Sequence, residues 1–180
     1  MILARITLQE ACKFDKSKHI EISNSVENNA KLVDDVVNEL VGQYSKELDA
    51  VIAQAHEALS HRSQLADNEI DFFILKIPMS MYYSSVAQEE MGIREDVSRM
   101  IRQRLYIDAR QSASGTIDDK NTAAEAQVMQ ETLTAAAYKR ATNILKAKNT
   151  AAQEVLSAFK KVLSRRMEEY QLTRFGGSSE

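Results

Sequence analysis

A chain of 180 residues with 44% hydrophobic and 27% charged side chains has enough apolar material for a core. That excludes disorder throughout and fits one domain, or one domain with an arm. One proline, five glycines and no tryptophan argue for long helices, because Gly and Pro punctuate loops while Ala, Glu, Lys, Gln, Leu and Met favour helix. The net charge of −3 conceals an asymmetry: residues 135–175 hold nine Lys/Arg and three acids, whereas residues 1–134 hold 14 basic and 22 acidic residues. An acidic front and a basic back imply contact with nucleic acid, an acidic partner, or the front of a neighbouring copy.

Residues 1–24 are ambiguous. Ile2, Ala4, Ile6 and Leu8 alternate weakly, as do Ile20 and Ile22, which allows a short hairpin. Thr7 with Glu10 three residues later resembles a capping box opening a short helix through Phe14. The segment 1–25 is therefore expected to be an arm of mixed or irregular structure. Arg5, Glu10 and Lys13 interrupt any signal-peptide apolar region. Cys12 is the only cysteine, so no intramolecular disulfide is possible, and a lone thiol suits a reducing compartment. With no stretch apolar enough to cross a bilayer, the expectation is a soluble, cytoplasmic protein with no membrane contact.

Residues 26–62 carry a helical stripe of Val26, Ala30, Val33, Val37, Leu40, Tyr44, Leu48, Val51, Ala55 and Ala58. Steps of three and four alternate in it, as in a coiled-coil seam. The helix is expected to end over residues 61–67. An apolar run from Asp71 leads to Pro78, which biases Ile77 away from helix and fits the start of a new one over 79–112; Gly92 is a candidate break within it. Its stripe reads Ile93, Val97, Met100, Ile101, Leu105 and Ala109, and its other face carries Arg94, Arg99, Arg102 and Arg110, with Arg104 at the boundary.

Residues 112–119 form the clearest turn. Gly115 is expected to supply a left-handed helix cap, and Asp118 or Asp119 to cap the next helix. Beyond it, no Gly or Pro interrupts residues 120–172, so a single helix of about 75 Å at 1.5 Å per residue is expected. Its apolar stripe includes Leu133, Ile144, Val155, Leu156, Phe159, Val162, Leu163 and Met167. A helix that long cannot be covered by one small domain, so these residues are assigned to oligomerisation. The expected fold is all-α: a helical-bundle domain over 26–115, an extended basic amphipathic assembly helix over 116–175, and a disordered tail over 176–180.

The chemistry in the sequence is mostly negative. No phosphate-cradling Gly-rich loop, nucleophile elbow or paired-cysteine metal motif is present. His56 and His61 are five apart, which puts them on different helix faces; solvated or C-capping histidines fit better than a zinc pair. The carboxylates are spread like a solvated helix surface. No cofactor, metal or catalytic residue is assigned, and an enzyme is the least supported class. The cations say more. Arg99, Arg102, Arg104 and Arg110 on one helix, and Lys139/Arg140, Lys146/Lys148, Lys160/Lys161 and Arg165/Arg166 along the last, make a track for a polyanion, whose binding would be salt-dependent. The competing reading matches these cations to acids of neighbouring helices. Tyr82, Tyr83, Tyr106 and Tyr138 are the candidates for base stacking, although tyrosines at helical spacing also serve core and interface.

Met81, Tyr83 and Ser84, then Ile93, Arg94 and Glu95, then a basic helix ending in Ser114 and Gly115, an acidic linker and a long helix ending in Arg166 and Met167 follow one another in order. In that order and spacing, residues 70–170 resemble the UvsY recombination mediators of T-even bacteriophages. The resemblance implies a homo-oligomeric scaffold that binds single-stranded DNA, displaces the single-strand binding protein and loads a RecA-like recombinase in the infected host. Two features depart from the family. Its Lys-x-Arg pair is matched here only by Arg110, with a one-residue shift, or by Arg102 and Arg104 one and a half turns earlier. Its members also lack a counterpart to the 26–62 helix. The alternative from another class is a non-catalytic coiled-coil assembly protein, a virion scaffold or adaptor, that does not bind nucleic acid.

Overall fold

The computed structural model describes residues 8–61 and 63–175, and within them the chain is all-α, with four helices. Helix α1 spans Leu8–Ser60, α2 spans Asp67–Ser112, α3 spans Ile117–Gln127 and α4 spans Met129–Phe175. The helical stripe expected from residue 26 therefore belongs to a helix that is already formed at Leu8, which replaces the irregular arm expected up to residue 25. Thr7 of the suggested capping box, and the tail over 176–180, lie outside the described residues.

α1, α2 and α4 form a three-helix bundle. Asp34 and Asp49 of α1 pair with Arg140 and Lys148 of α4, so these two helices run parallel. Glu47 of α1 pairs with Lys76 of α2, and Asp67 at the start of α2 pairs with Arg166 near the end of α4, so α2 runs antiparallel to both. A compact connection over residues 61–66 allows this: the Glu69 carboxylate accepts the Ala66 backbone N–H at 2.8 Å, closing the N-terminus of α2,.

Helix α2 continues through Pro78 and Gly92 without interruption, contrary to the boundary expected at Pro78 and the candidate break at Gly92. Pro78 costs about 3 kcal/mol inside a helix. Ile70, Phe73 and Ile77 are fully or almost fully buried around it, and at about 1.5–3 kcal/mol for each buried side chain their packing outweighs that cost. They belong to an apolar cluster with Leu48, Val51, Ala55, Ala152, Val155 and Phe159, in which the rings of Phe73 and Phe159 stack at 4.8 Å. A second cluster joins Val37 and Val41 to Ala87, Met91, Ala137, Ala141 and Leu145.

Between the two clusters lies a polar layer of buried Ser45, Ser80, Ser84 and Asn149. The Ser45 hydroxyl donates to Asp49 at 2.8 Å, and the Asn149 amide donates to Ser85 and Gln88 at 3.3 and 3.4 Å. Ser80 Oγ, Ser84 Oγ and Asn149 Oδ1 have no partner. Small Ser and Ala side chains let α2 and α4 approach closely here, at the expense of stranded polar atoms.

The last third is not one helix. Val128 separates α3 from α4 with φ −100° and ψ 13°. The backbone ladder bends there without being cut: Val128 N–H donates to Ala124 at 3.2 Å, and its carbonyl accepts from Thr132 N–H at 3.0 Å. The Thr132 hydroxyl also donates to the Val128 carbonyl, at 2.8 Å, a back-bond that bends helices. Burial of Val128 holds the bend in place.

The turn before α3 also differs from expectation. α2 ends on Ala113 in an extended conformation. Gly115 takes φ +113°, and a Cβ there would come within 2.9 Å of the Asp119 carboxylate. Thr116, rather than Asp118 or Asp119, caps α3. Its hydroxyl accepts the Asp119 N–H at 3.3 Å while its own N–H donates to the Asp119 carboxylate at 3.0 Å. The Thr116 hydroxyl also donates to the Asp119 carboxylate at 2.7 Å; this bond first and the Thr116 backbone N–H second hold the Asp119 carboxyl below its ordinary value of 3.8,.

Candidate nucleic-acid interface

Because α4 is a stave of the bundle and not a projecting arm, its apolar stripe is consumed within the chain. Val155 and Phe159 lie in the first cluster, with Leu156, Val162 and Leu163 packed against it; Ile144 packs against the second. Leu133 is half-buried, and only Met167 of the eight residues assigned to oligomerisation is exposed. The stripe faces α1 and α2 of the same chain, which corrects the assignment of these residues to oligomerisation.

The twelve cations proposed to contact nucleic acid divide into two sets of six. Arg99 pairs with Glu95 one turn earlier, Arg165 with Glu169 one turn later, Arg140 with Asp34 and Lys148 with Asp49. Arg166 bonds Asp67 at 2.6 Å and the Leu65 carbonyl at 2.5 Å, tying the end of α4 to the α1–α2 connection. Arg102 donates its Nε to the Thr132 hydroxyl at 2.7 Å, which buttresses the bend at Val128. These six are engaged with protein atoms. Arg104, Arg110, Lys139, Lys146, Lys160 and Lys161 are exposed and carry no ion pair or side-chain hydrogen bond among the described residues.

Four of those six stand on α4, and their spacing makes a surface. Lys139, Lys146 and Lys160 share one seven-residue register, opposite the buried row of Ala141, Leu145, Ala152, Val155 and Phe159. Asn143, Thr150, Gln153, Ser157 and Ser164 fill the positions between and beyond them, and all are exposed. The row contains no acid over 26 residues, about 37 Å at 1.5 Å per residue. Lys161 lies beside it, and Glu154 is the one carboxylate on its flank. The Thr150 and Ser157 hydroxyls turn back onto the Lys146 and Gln153 carbonyls at 3.0 and 2.8 Å. A row of ammonium groups with uncharged polar spacers is suited to the backbone of a polyanion.

The tyrosines separate in the same way. Tyr106 is half-buried and donates its hydroxyl to Asn121 at 3.3 Å, and Tyr138 packs against the second apolar cluster. Tyr82 and Tyr83 are exposed with their rings edge to face at 5.7 Å, but they stand on the outer face of α2, away from the lysine row's own helix. Among the described residues, no three His, Cys, Asp or Glu side chains are grouped to hold a metal ion. Among the same residues no helix is long and apolar enough to cross a membrane.

Fold and surface together define an all-helical bundle whose last helix carries an acid-free cationic outer row. No protein-family model matches the chain, and neither the curated proteins nor the solved structures give a significant match.

Proposed function

We propose that this chain is a non-catalytic, homo-oligomeric scaffold that binds single-stranded DNA along the outer face of α4. The observation that carries this reading is the row of Lys139, Lys146 and Lys160, with Lys161 beside it, none of which has an acidic partner among the described residues. Surface lysines neutralised by neighbouring acids gain little from a phosphate; lysines without partners gain the full release of condensed counterions. The row offers no planar, bidentate donors for reading base edges, so binding would follow the backbone with little regard to sequence. The further role, as a recombination mediator of the UvsY kind that displaces single-strand binding protein and loads a RecA-like recombinase, rests on the order of the segments over residues 70–170.

The second reading is an assembly protein without nucleic acid. It is favoured by the internal partners of Arg99, Arg102, Arg140, Lys148, Arg165 and Arg166. Anisotropy of a labelled single-stranded oligonucleotide separates the two. The DNA reading expects binding at low salt that weakens steeply as salt is raised; absence of binding at low salt leaves the assembly reading.

A further inference from the structure

The core face of α2 does not account for all its apolar side chains. Phe72, Met79, Val86, Ile93, Met100 and Ile107 recur every seventh residue along the opposite side of the helix, and each is 45–62% exposed. Leu75 and Tyr82, three residues after the first two, are also exposed and widen the row up to Val86 into alternating three- and four-residue steps. A helix apolar on two opposite faces needs a partner on both. The bundle supplies only one.

We infer that the outer seam of α2 is the surface through which a second copy of this chain associates, with the two α2 helices antiparallel. This deepens the scaffold reading by naming its assembly surface, and takes from that reading only the expectation of more than one copy. Two observations select a second copy as the occupant. The first is area. Eight large apolar side chains at this exposure present on the order of 800 Å² or more. That exceeds the roughly 300–600 Å² of the largest patch on a typical monomer and matches the ~800 Å² each partner buries in a standard interface.

The second is charge complementarity. Residues 67–90 of α2 hold five acids (Asp67, Glu69, Asp71, Glu89, Glu90) and one lysine, whereas residues 91–112 hold five arginines and three acids. An antiparallel copy lays the acidic half of each helix on the basic half of the other; a parallel copy sets like against like. A two-fold axis near Val86 places Phe72 by the partner's Met100 and Met79 by the partner's Ile93. It also brings Glu69 towards the partner's Arg104, which carries no ion pair or side-chain hydrogen bond among the described residues of its own chain. Moving the axis half a heptad towards Ile93 would instead set Lys76 against the partner's Arg104 and Glu90 against the partner's Glu90. The contact is isologous, so it closes as a dimer and does not propagate into a fibre.

Sedimentation of the full chain without DNA tests the surface separately from DNA binding. The expected result is a dimer, or a multiple of it, for the unmodified chain. Met79→Glu/Ile93→Glu is expected to be a monomer with unchanged far-ultraviolet helicity, since both side chains are outside the core. A monomeric unmodified chain at tens of micromolar overturns the inference, and so does a double variant that keeps the parent mass. If the double variant loses its helicity, disulfide formation decides. Val86→Cys in a Cys12→Ser background is expected to form an interchain disulfide on mild oxidation, and Phe72→Cys in that background is not. An unlinked Val86→Cys, or a linked Phe72→Cys, refutes the antiparallel seam. Loss of DNA binding in a chain that still dimerises would end the DNA reading and leave this one intact.

Discussion

Replacing Ser84 with alanine is expected to stabilise the protein, although Ser84 is fully buried at the centre of the bundle. Its Oγ has no hydrogen-bond partner, and a polar atom buried unsatisfied costs about 1–3 kcal/mol. Alanine removes that atom with little change in volume, and its helix propensity adds about 0.5 kcal/mol. The gain is therefore about 1–2 kcal/mol, the cavity left by one oxygen setting the lower end. Ser80, one turn earlier and in the same condition, is expected to add a similar amount, with less than full additivity because the two face one layer. Urea denaturation followed by far-ultraviolet circular dichroism measures it: the midpoint rises while the m-value stays constant. A lower midpoint for Ser84→Ala would refute the reasoning, because the hydroxyl would then be making a bond that the isolated bundle does not contain.

Further expectations follow from other parts of the bundle. Phe159→Ala empties the site beside Phe73 in the larger cluster and is expected to cost about 3–5 kcal/mol of folding stability. That loss would be independent of protein concentration, as fits an intramolecular seam, and a strong concentration dependence would restore α4 as the assembly element. Gly115→Ala meets both a φ of +113° and the Asp119 carboxylate and is expected to cost about 1–3 kcal/mol; a neutral result in the same titration would contradict the turn geometry. Asp119 has its folded pKa below the ordinary 3.8. Its contribution is present in full above that value and is lost as the pH falls through the depressed one. Asp119→Asn is therefore expected to flatten the acid limb of the stability curve below about pH 4, and an unchanged acid limb would show that the Thr116 bonds do not persist in solution.

Much of the bundle was legible in the sequence because its signals are periodic. Val37, Leu48, Val51 and Ala55 fall on the stripe that spacing picks out and are buried, while Val26 at its start is exposed. What spacing could not show is which chain a seam faces. The α4 stripe and the first half of the α2 outer row, Phe72 to Val86, have the same three- and four-residue steps, yet α4 packs inside the chain while the α2 row is left exposed. Over residues 91–109 the stripe that spacing picks out, Ile93, Val97, Met100 and Ile101, is this exposed side, whereas the buried positions are Met91, Ser98 and Ala109. Pro78 misled for a related reason: a local cost was weighed without the long-range burial of Ile70, Phe73 and Ile77. The bend at Val128 has no Gly or Pro signal, and depends on the Thr132 back-bond and the Arg102 contact from a different helix. The cations were individually visible, but their partners were not, since Asp34 and Arg140, or Asp67 and Arg166, are about a hundred residues apart in sequence and meet only once the bundle has formed.

The salt dependence of single-stranded DNA binding tests the central claim most directly. Four lysines engaging phosphates predict a slope of log K against log salt of about −3 per bound subunit, at roughly −0.7 per phosphate on single strands. The variant Lys139→Gln/Lys146→Gln/Lys160→Gln/Lys161→Gln, compared with the unmodified chain by anisotropy across a salt series, is expected to lose most of that slope and most of its low-salt affinity while keeping its helicity and mass. An unchanged slope in this variant would place the nucleic-acid contact elsewhere, and no measurable binding by the unmodified chain would remove it altogether.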